Sequence, residues 1–179
     1  KKNNQTECKS RPYMYLLDPG NICNLKCPLC NTGRKNNNQN TEFMPLERYN
    51  QILLKIKDHA IMLGLYNWGE PLLNPNIFKF IEIAAQNRIF TFLSTNCNIS
   101  NLDAEMLVQS GLSYIIIGLD GYDQESYSYY RKKGDLALVL ENMRKISKSR
   151  KKRGLCKCGV VWGRVAFMHS TLLYVFYRI

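Results

Sequence analysis

Cys23-Asn24-Leu25-Lys26-Cys27-Pro28-Leu29-Cys30 places three cysteines within eight residues, spaced C-x3-C-x2-C, directly after the apolar run Tyr13 to Leu17. Thiolates are soft ligands that suit iron–sulfur clusters, zinc or copper(I). Three thiolates on a four-iron cube leave one iron without a protein ligand, available to a substrate or cofactor as an open position is on a catalytic metal. A zinc knuckle is the competing interpretation. Structural zinc takes four ligands, usually as two C-x-x-C-like pairs. The fourth would have to be Cys8, Cys97, Cys156, Cys158 or His59, and none of these forms an obvious second pair. The spacing therefore favours the cluster. Pro28 has no backbone donor and stiffens the loop between Cys27 and Cys30.

Around this loop the chain alternates between two periods. Arg11 to Leu17 reads as a buried first strand, ended by the turn chemistry of Asp18-Pro19-Gly20-Asn21. Asn31 to Asn40 is low-complexity and polar, a flexible loop. Pro45 opens a helix with Leu46, Tyr49, Leu53 and Ile56 on one face. Ala60 to Tyr66 is continuously apolar, the mark of a strand covered on both faces. Asn76 can cap a helix carrying Ile77, Phe80, Ile81 and Ala84. Ile89 to Leu93 is a third strand with Ser94-Thr95-Asn96 as its polar exit. Ser100 or Asn101 caps a short helix that Gly111 stops. Tyr114 to Leu119 is a fourth strand, followed by helical stretches at Gln124–Arg131 and Leu136–Ser149, and Val160 to Met168 is a fifth. Such alternation implies parallel βαβ units with right-handed crossovers. The polar motifs all fall just after strands, where barrels of this type carry their active sites.

Composition bounds the rest. A chain of 179 residues has room for one domain with a sizeable core. Net charge is +11, which suits nucleic acid, an acidic substrate or an acidic electron-donor protein. Much of it sits in one run from Arg144 to Arg153, which reads as a solvated helix end; the absence of aromatic interleaving argues against a nucleic-acid stripe. Seven cysteines are an odd number, and three are crowded in a metal-type spacing, so a reducing, cytoplasmic setting is expected rather than a disulfide framework. No secretory leader opens the chain and no apolar run reaches bilayer length, so no membrane partner is expected. His59 and His169 read as ordinary loop or strand-end residues, and Tyr122, Tyr127, Tyr129 and Tyr130 as packing for the fourth helical stretch.

Four stretches in order carry a resemblance to a known family. The cysteine loop after a strand, Asn67-Trp68-Gly69-Glu70-Pro71-Leu72-Leu73, Leu93-Ser94-Thr95-Asn96, and Ile117-Gly118-Leu119-Asp120-Gly121 with Glu125, Tyr127 and Arg131 resemble the radical S-adenosylmethionine (radical SAM) enzymes. Any one stretch is weak and four at sensible spacing are specific. The pattern is most similar to the SPASM-type subgroup, and it covers roughly Arg11 to Ile146.

The resemblance implies an α/β fold, a partial (β/α)6 barrel incomplete at its C-terminus. Its divisions would be a polar tail over 1–10, a core domain over 11–168 and a divergent or truncated apolar tail over 169–179, whose exposed strand-like residues would invite aggregation. The implied cofactors are a [4Fe–4S] cluster on Cys23, Cys27 and Cys30, and S-adenosylmethionine. Gly69 would allow close backbone approach and Glu70 would pair with the cofactor's ammonium. Leu29 stands where the family tends to have an aromatic near the adenine, or is simply a loop hydrophobe. Ser94 and Asn96 would bond the sugar or amino-acid part, or satisfy the strand end. Arg131 would hold the cofactor carboxylate through bidentate bonds, or lie on the helix surface. Cys97 replaces the family's common glycine, Gly118 replaces a serine that often contacts the ribose, and Asp120 reads as structural. The implied activity is reductive cleavage of S-adenosylmethionine to a 5′-deoxyadenosyl radical that abstracts hydrogen from a peptide, protein or other polar substrate. An electron donor such as flavodoxin or ferredoxin would serve it. The contrasting class is a non-catalytic zinc- or iron–sulfur-binding interaction module with a basic nucleic-acid-binding stretch.

Overall fold

The computed structural model describes residues 10–34, 41–152, 159–168 and 171–178, the last two stretches as backbone. The polar start apart from Ser10, residues 35–40 of the Asn-rich loop, and Cys8, Arg153, Cys156, Cys158, His169 and Ile179 lie outside the described residues.

Strands β1 (Met14–Leu17), β2 (Met62–Leu65), β3 (Phe90–Thr95), β4 (Tyr114–Gly118) and β5 (Gly159–Met168) stand side by side in chain order and are all parallel. Helices α1 (Leu46–Ile56), α2 (Ile77–Gln86), α3 (Ala104–Gln109), α4 (Gln124–Tyr130) and α5 (Leu136–Lys152) occupy the crossovers between them. This is the parallel α/β architecture that the alternation implies. Thr171–Arg178, read from the sequence as an apolar tail, forms β6 and pairs antiparallel with β5 along its length. No helix among the described residues is long and apolar enough to cross a membrane.

The sheet's two faces differ. On the helix-covered face Leu63, Leu65, Leu93, Ile115 and Ile117 are fully enclosed in one core with Tyr49, Leu53, Phe80, Ile81, Val139 and Met143. The opposite face carries Met14, Leu16, Phe90 and Phe92 outside that core, with Met14 49%, Leu16 48% and Phe90 41% exposed. Gly64 is covered here because it has no side chain: a Cβ would run into Leu16 and Phe92, which close over its backbone.

Helix starts follow local bonding more than propensity. Pro45 stands at the N-cap of α1, which buries Tyr49, Leu53 and Ile56. α3 begins at Asp103, whose carboxylate accepts from the Met106 N–H at 2.7 Å, and not at Ser100 or Asn101. The reason is that the Asn142 amide donates to the carbonyls of Cys97 and Ile99, at 2.9 and 2.8 Å, and holds this segment extended. Asn76 occupies the N-cap of α2 without capping it through its side chain. Asn74 orders that turn instead: its amide donates to the Pro19 and Met44 carbonyls, and its Oδ1 accepts from the Asn76 N–H at 2.8 Å. Asp123 and Ser126 form a reciprocal capping box on α4.

The Tyr49 ring stacks on Phe80 with centroids 4.1 Å apart, and its hydroxyl donates to the Phe80 carbonyl at 2.7 Å. Truncating Phe80 to alanine is expected to cost ~3–5 kcal/mol in urea unfolding, whereas Tyr49→Phe costs ~1 kcal/mol. Both should shift the midpoint without changing the denaturant slope.

Candidate functional site

The exits of β1 to β4 meet at one edge of the sheet. Gly69, just past β2, has φ 93°, and a Cβ there would strike the carbonyl oxygens of Gly20 and Ile22. This close approach lets the Glu70 N–H donate to the Ile22 carbonyl at 2.8 Å, while the Trp68 N–H donates to the Asp18 carboxylate at 3.2 Å. The second motif thus lies directly on the stretch that leads into Cys23.

Glu70 is 3% exposed, and its carboxylate is engaged within the protein. Oε1 accepts from the Thr95 hydroxyl at 2.5 Å and from the Leu72 N–H at 3.1 Å, capping the 3-10 turn Pro71–Leu73; Oε2 accepts from the Asn96 N–H at 2.7 Å. Burial pushes this carboxyl up, against the pull of those three donors and of the Arg131 charge. The Glu70 side chain ties the β2 exit to the β3 exit.

Asn96 continues the tie into the cysteine loop. Its amide donates to Asn24 Oδ1 at 3.0 Å and toward Cys23 Sγ at 3.7 Å, and its Oδ1 accepts from the Asn98 N–H at 2.7 Å. Asn24 in turn donates to the Asn98 carbonyl at 2.5 Å. Cys97 between them is buried with φ 57°, the left-handed conformation for which glycine is the usual residue. Ser94 lies half-buried within β3, which runs two residues further than expected, to Thr95. Thr95, Asn24, Asn98 and Asn142 were not among the expected site residues. Each is an ordinary polar side chain in sequence, and only the partners brought by other segments give it a role.

Cys27 is buried, Cys23 and Cys30 are half-buried, and all three are free thiols. The Cys30 N–H donates to the Cys27 carbonyl at 3.2 Å and the Arg34 N–H to the Cys30 carbonyl at 2.9 Å, which curls the loop. A Cβ on Gly33 would strike the Cys27 backbone, so the chain returns close beneath that residue. Leu25, 1% exposed, anchors the loop inward, and Leu29, 60% exposed, points away from the core. The Lys26 N–H donates to the Lys132 carbonyl at 3.0 Å, latching the loop to the end of α4.

Burial pushes the Cys23 thiol up to about 11, with the Leu25 N–H pulling the other way. Burial also raises Cys27, opposed by the charge and hydrogen bond of Arg131. The charges of Cys27 and Cys30 act on Cys23, and that of Cys30 on Cys27, so the three thiols are neighbours. Among the described residues, however, no three His, Cys, Asp or Glu side chains gather as the ligands of one ion would. A multi-iron cluster takes its thiolates on separate irons, so its ligands stand further apart than those of a single zinc. His59 is occupied with the Tyr15 hydroxyl at 2.7 Å and Cys97 is engulfed, so neither is placed as a fourth zinc ligand. Thr32, two residues past Cys30 and 5% exposed, carries a buried hydroxyl without a hydrogen-bond partner among the described residues. A sulfide-bearing group in this loop would offer it an acceptor.

Arg131 follows α4 and returns toward the loop. Its Nε donates to Asp120 Oδ2 at 2.5 Å, with the two side chains 18% and 3% exposed. A Cβ on Gly118 would collide with the guanidinium, so the glycine that stands in place of the family's serine makes room for this arginine. Of the four tyrosines assigned to packing, only Tyr127 is fully buried, its hydroxyl accepting from Asn98 at 2.8 Å; Tyr122 and Tyr129 are 81% and 82% exposed. The correction follows from α4's being a short helix with one inward face.

Gly69→Ala is expected to cost at least ~1–3 kcal/mol, because it meets both a positive φ and backbone oxygens that cannot withdraw. Thermal unfolding checks this. With its thiol pushed up to about 11, Cys23 in cluster-free protein should react with iodoacetamide at pH 8 about tenfold more slowly than a free cysteine, its smaller thiolate fraction being partly offset by the greater nucleophilicity of that thiolate. Mass spectrometry of timed aliquots reads that rate.

A family model, the radical SAM superfamily, matches residues 17–164. A probable GTP 3′,8-cyclase of Methanocaldococcus jannaschii is 29% identical over 126 residues, covering 70% of this chain and 42% of its own length. The GTP 3′,8-cyclase of Syntrophomonas wolfei is 32% identical over 123 residues, covering 66% and 37%. Among solved structures, native anSMEcpe with bound AdoMet and Cp18Cys peptide superposes with TM-score 0.58 at 21% identity, covering 84% of this chain and 42% of that one. The chain thus spans about two fifths of the length of the curated relatives it matches. The parallel sheet, the cysteine loop at its carboxyl edge and a family match over most of the length agree: this chain belongs to the radical SAM superfamily.

Proposed function

We propose that the chain is the cofactor-binding core of a cytoplasmic radical SAM enzyme of SPASM-like type that modifies a peptide, a protein or another polar substrate. The cofactors of the superfamily are a [4Fe–4S] cluster and S-adenosylmethionine. One observation carries the assignment to this edge of the sheet: three free, neighbouring cysteines are latched to the exits of β2 and β3 and to the end of α4. Cys23, Cys27 and Cys30 hold the cluster. When bound, cluster and cofactor together supply reductive cleavage of the sulfonium and a 5′-deoxyadenosyl radical for hydrogen abstraction.

The remaining work falls to the chain's own side chains. Arg131, oriented by Asp120 through Nε, holds the cofactor's carboxylate. Gly69 admits close approach beside Cys23. Glu70 and Asn96 act one step back, fixing the loop that carries Cys23 and Asn24. Ser94, half-buried within β3, offers a hydroxyl to the sugar or amino-acid part. Leu29, exposed beside two ligands, covers the bound group. Below the polar rim, the described open face of the sheet presents Met14, Leu16, Phe90 and Phe92 with no charge among them, which suits exclusion of water from a reactive radical.

That apolar face also favours a peptide side chain over a nucleotide triphosphate, which needs Arg or Lys close by. The solved neighbour with a bound peptide supports this choice, against the curated relatives named for GTP. Flavodoxin or ferredoxin is the class of electron donor proposed. The basic run gives little support to the nucleic-acid alternative: Lys145 pairs with Glu141 at 2.7 Å, and Lys152 lies 3.9 Å from Glu105.

Anaerobic reconstitution should give about four irons and four sulfides per chain, with an EPR signal on reduction. Cys23→Ala, Cys27→Ala and Cys30→Ala should each lose it. Stoichiometric zinc without sulfide would overturn the assignment. Arg131→Ala should weaken S-adenosylmethionine binding about ten- to a hundredfold in equilibrium dialysis, the loss of one charge-assisted pair of roughly 1.5–3 kcal/mol.

A further inference from the structure

Arg131 is one corner of an arrangement that its expected task does not explain. A carboxylate 3% exposed, Asp120, grips the guanidinium through Nε. Gly118 leaves the space in which the guanidinium lies, and the Tyr130 ring faces it with the guanidinium carbon 5.6 Å from the centroid. The charge of the same guanidinium also acts on Cys27. The α4 end that carries it is fastened separately, through the Lys26 N–H and Lys132 carbonyl, to the residue just before Cys27. The position of the charge is therefore fixed by Gly118 and Asp120 from β4 and its exit, by Tyr130 of α4 and, through Lys26, by the cysteine loop itself.

We propose that Asp120 is a positioning residue that holds Arg131 in place beside the cysteine loop and, by neutralising it, sets the charge felt by the cluster. The inference rests on the reading of Cys27 as a cluster ligand. The potential of an iron–sulfur centre follows the net charge around it and the hydrogen bonds to its sulfurs, both of which outer partners control. A buried pair adds no net charge. Loss of one member leaves the other uncompensated, and the sign of the resulting shift depends on which member is lost.

The test is the midpoint potential of the reconstituted cluster, followed by EPR during anaerobic redox titration, with iron and sulfide content measured on each sample. Asp120→Asn, which leaves the arginine uncompensated, is expected to raise the potential, and Asp120→Glu to return it toward the parent value. Arg131→Gln is expected to lower it, and the double variant Asp120→Asn/Arg131→Gln to lie between the two singles. If Asp120→Asn is too unstable to load, the comparison of Arg131→Gln with the double variant decides, since the double must then lie higher. A fully loaded Asp120→Asn whose potential is unchanged or lowered overturns the proposal while the cluster assignment stands. A parent protein that takes up no iron and sulfide overturns both.

Discussion

A carboxylate withdrawn from water has to recover its solvation from the protein, and at Glu70 that requirement organises a whole edge of the sheet. Its three donors come from two places: a hydroxyl and an N–H at the β3 exit, and an N–H two residues beyond Glu70 itself. Leaving a buried polar group unpaired costs far more than a typical made bond contributes. The positions of Thr95 and Asn96 are thus set to within hydrogen-bonding tolerance once Glu70 is inside. Asn96 then reaches Asn24 and Cys23, so the demand of one buried charge propagates to the cysteine loop.

The edge works because the sheet beneath it is parallel. Five parallel strands deliver their exits to the same side, and each exit is free of the ladder that constrains the strand. Helix packing fills one face with aliphatic side chains and leaves the other apolar and open. Polar groups are accordingly concentrated in a thin band, where backbone groups released by the strand ends need partners anyway. Gly69 and Gly118 mark two of the places where this band is too crowded for a Cβ, one against backbone oxygens and one against a guanidinium.

Much of this was legible in the residues. The alternation of apolar periods fixed the order and direction of the strands, and the three clustered cysteines pointed to the loop that carries the site. What was missed shares a cause. Asp103 caps α3, and Asn74 orders the start of α2, because Asn142 and the carbonyls of Pro19 and Met44 are where they are. Those are tertiary facts, invisible to a local window. A carboxylate after glycine gives no local sign of burial, yet Glu70 is enclosed, and its partners Thr95 and Asn96 come from another strand's exit. Cys97 drew notice as a departure from glycine, and its φ of 57° shows what kind of position it is.

The latch between Lys26 and Lys132 bears on the order in which the molecule is built. A backbone bond between the first cysteine loop and the far end of α4 closes a very long loop of chain, and the entropy of that closure has to be met before the contact returns anything. The cysteines leave the ribosome early, yet the partners that shape their loop, from Gly69 to Lys132, follow much later. During synthesis the thiols therefore wait without their frame, and the loop acquires its shape only when β4 and α4 have docked. Assembly of the centre is in this sense a report on folding: a chain whose loop is fully framed has already brought β1 to β4 and α4 together.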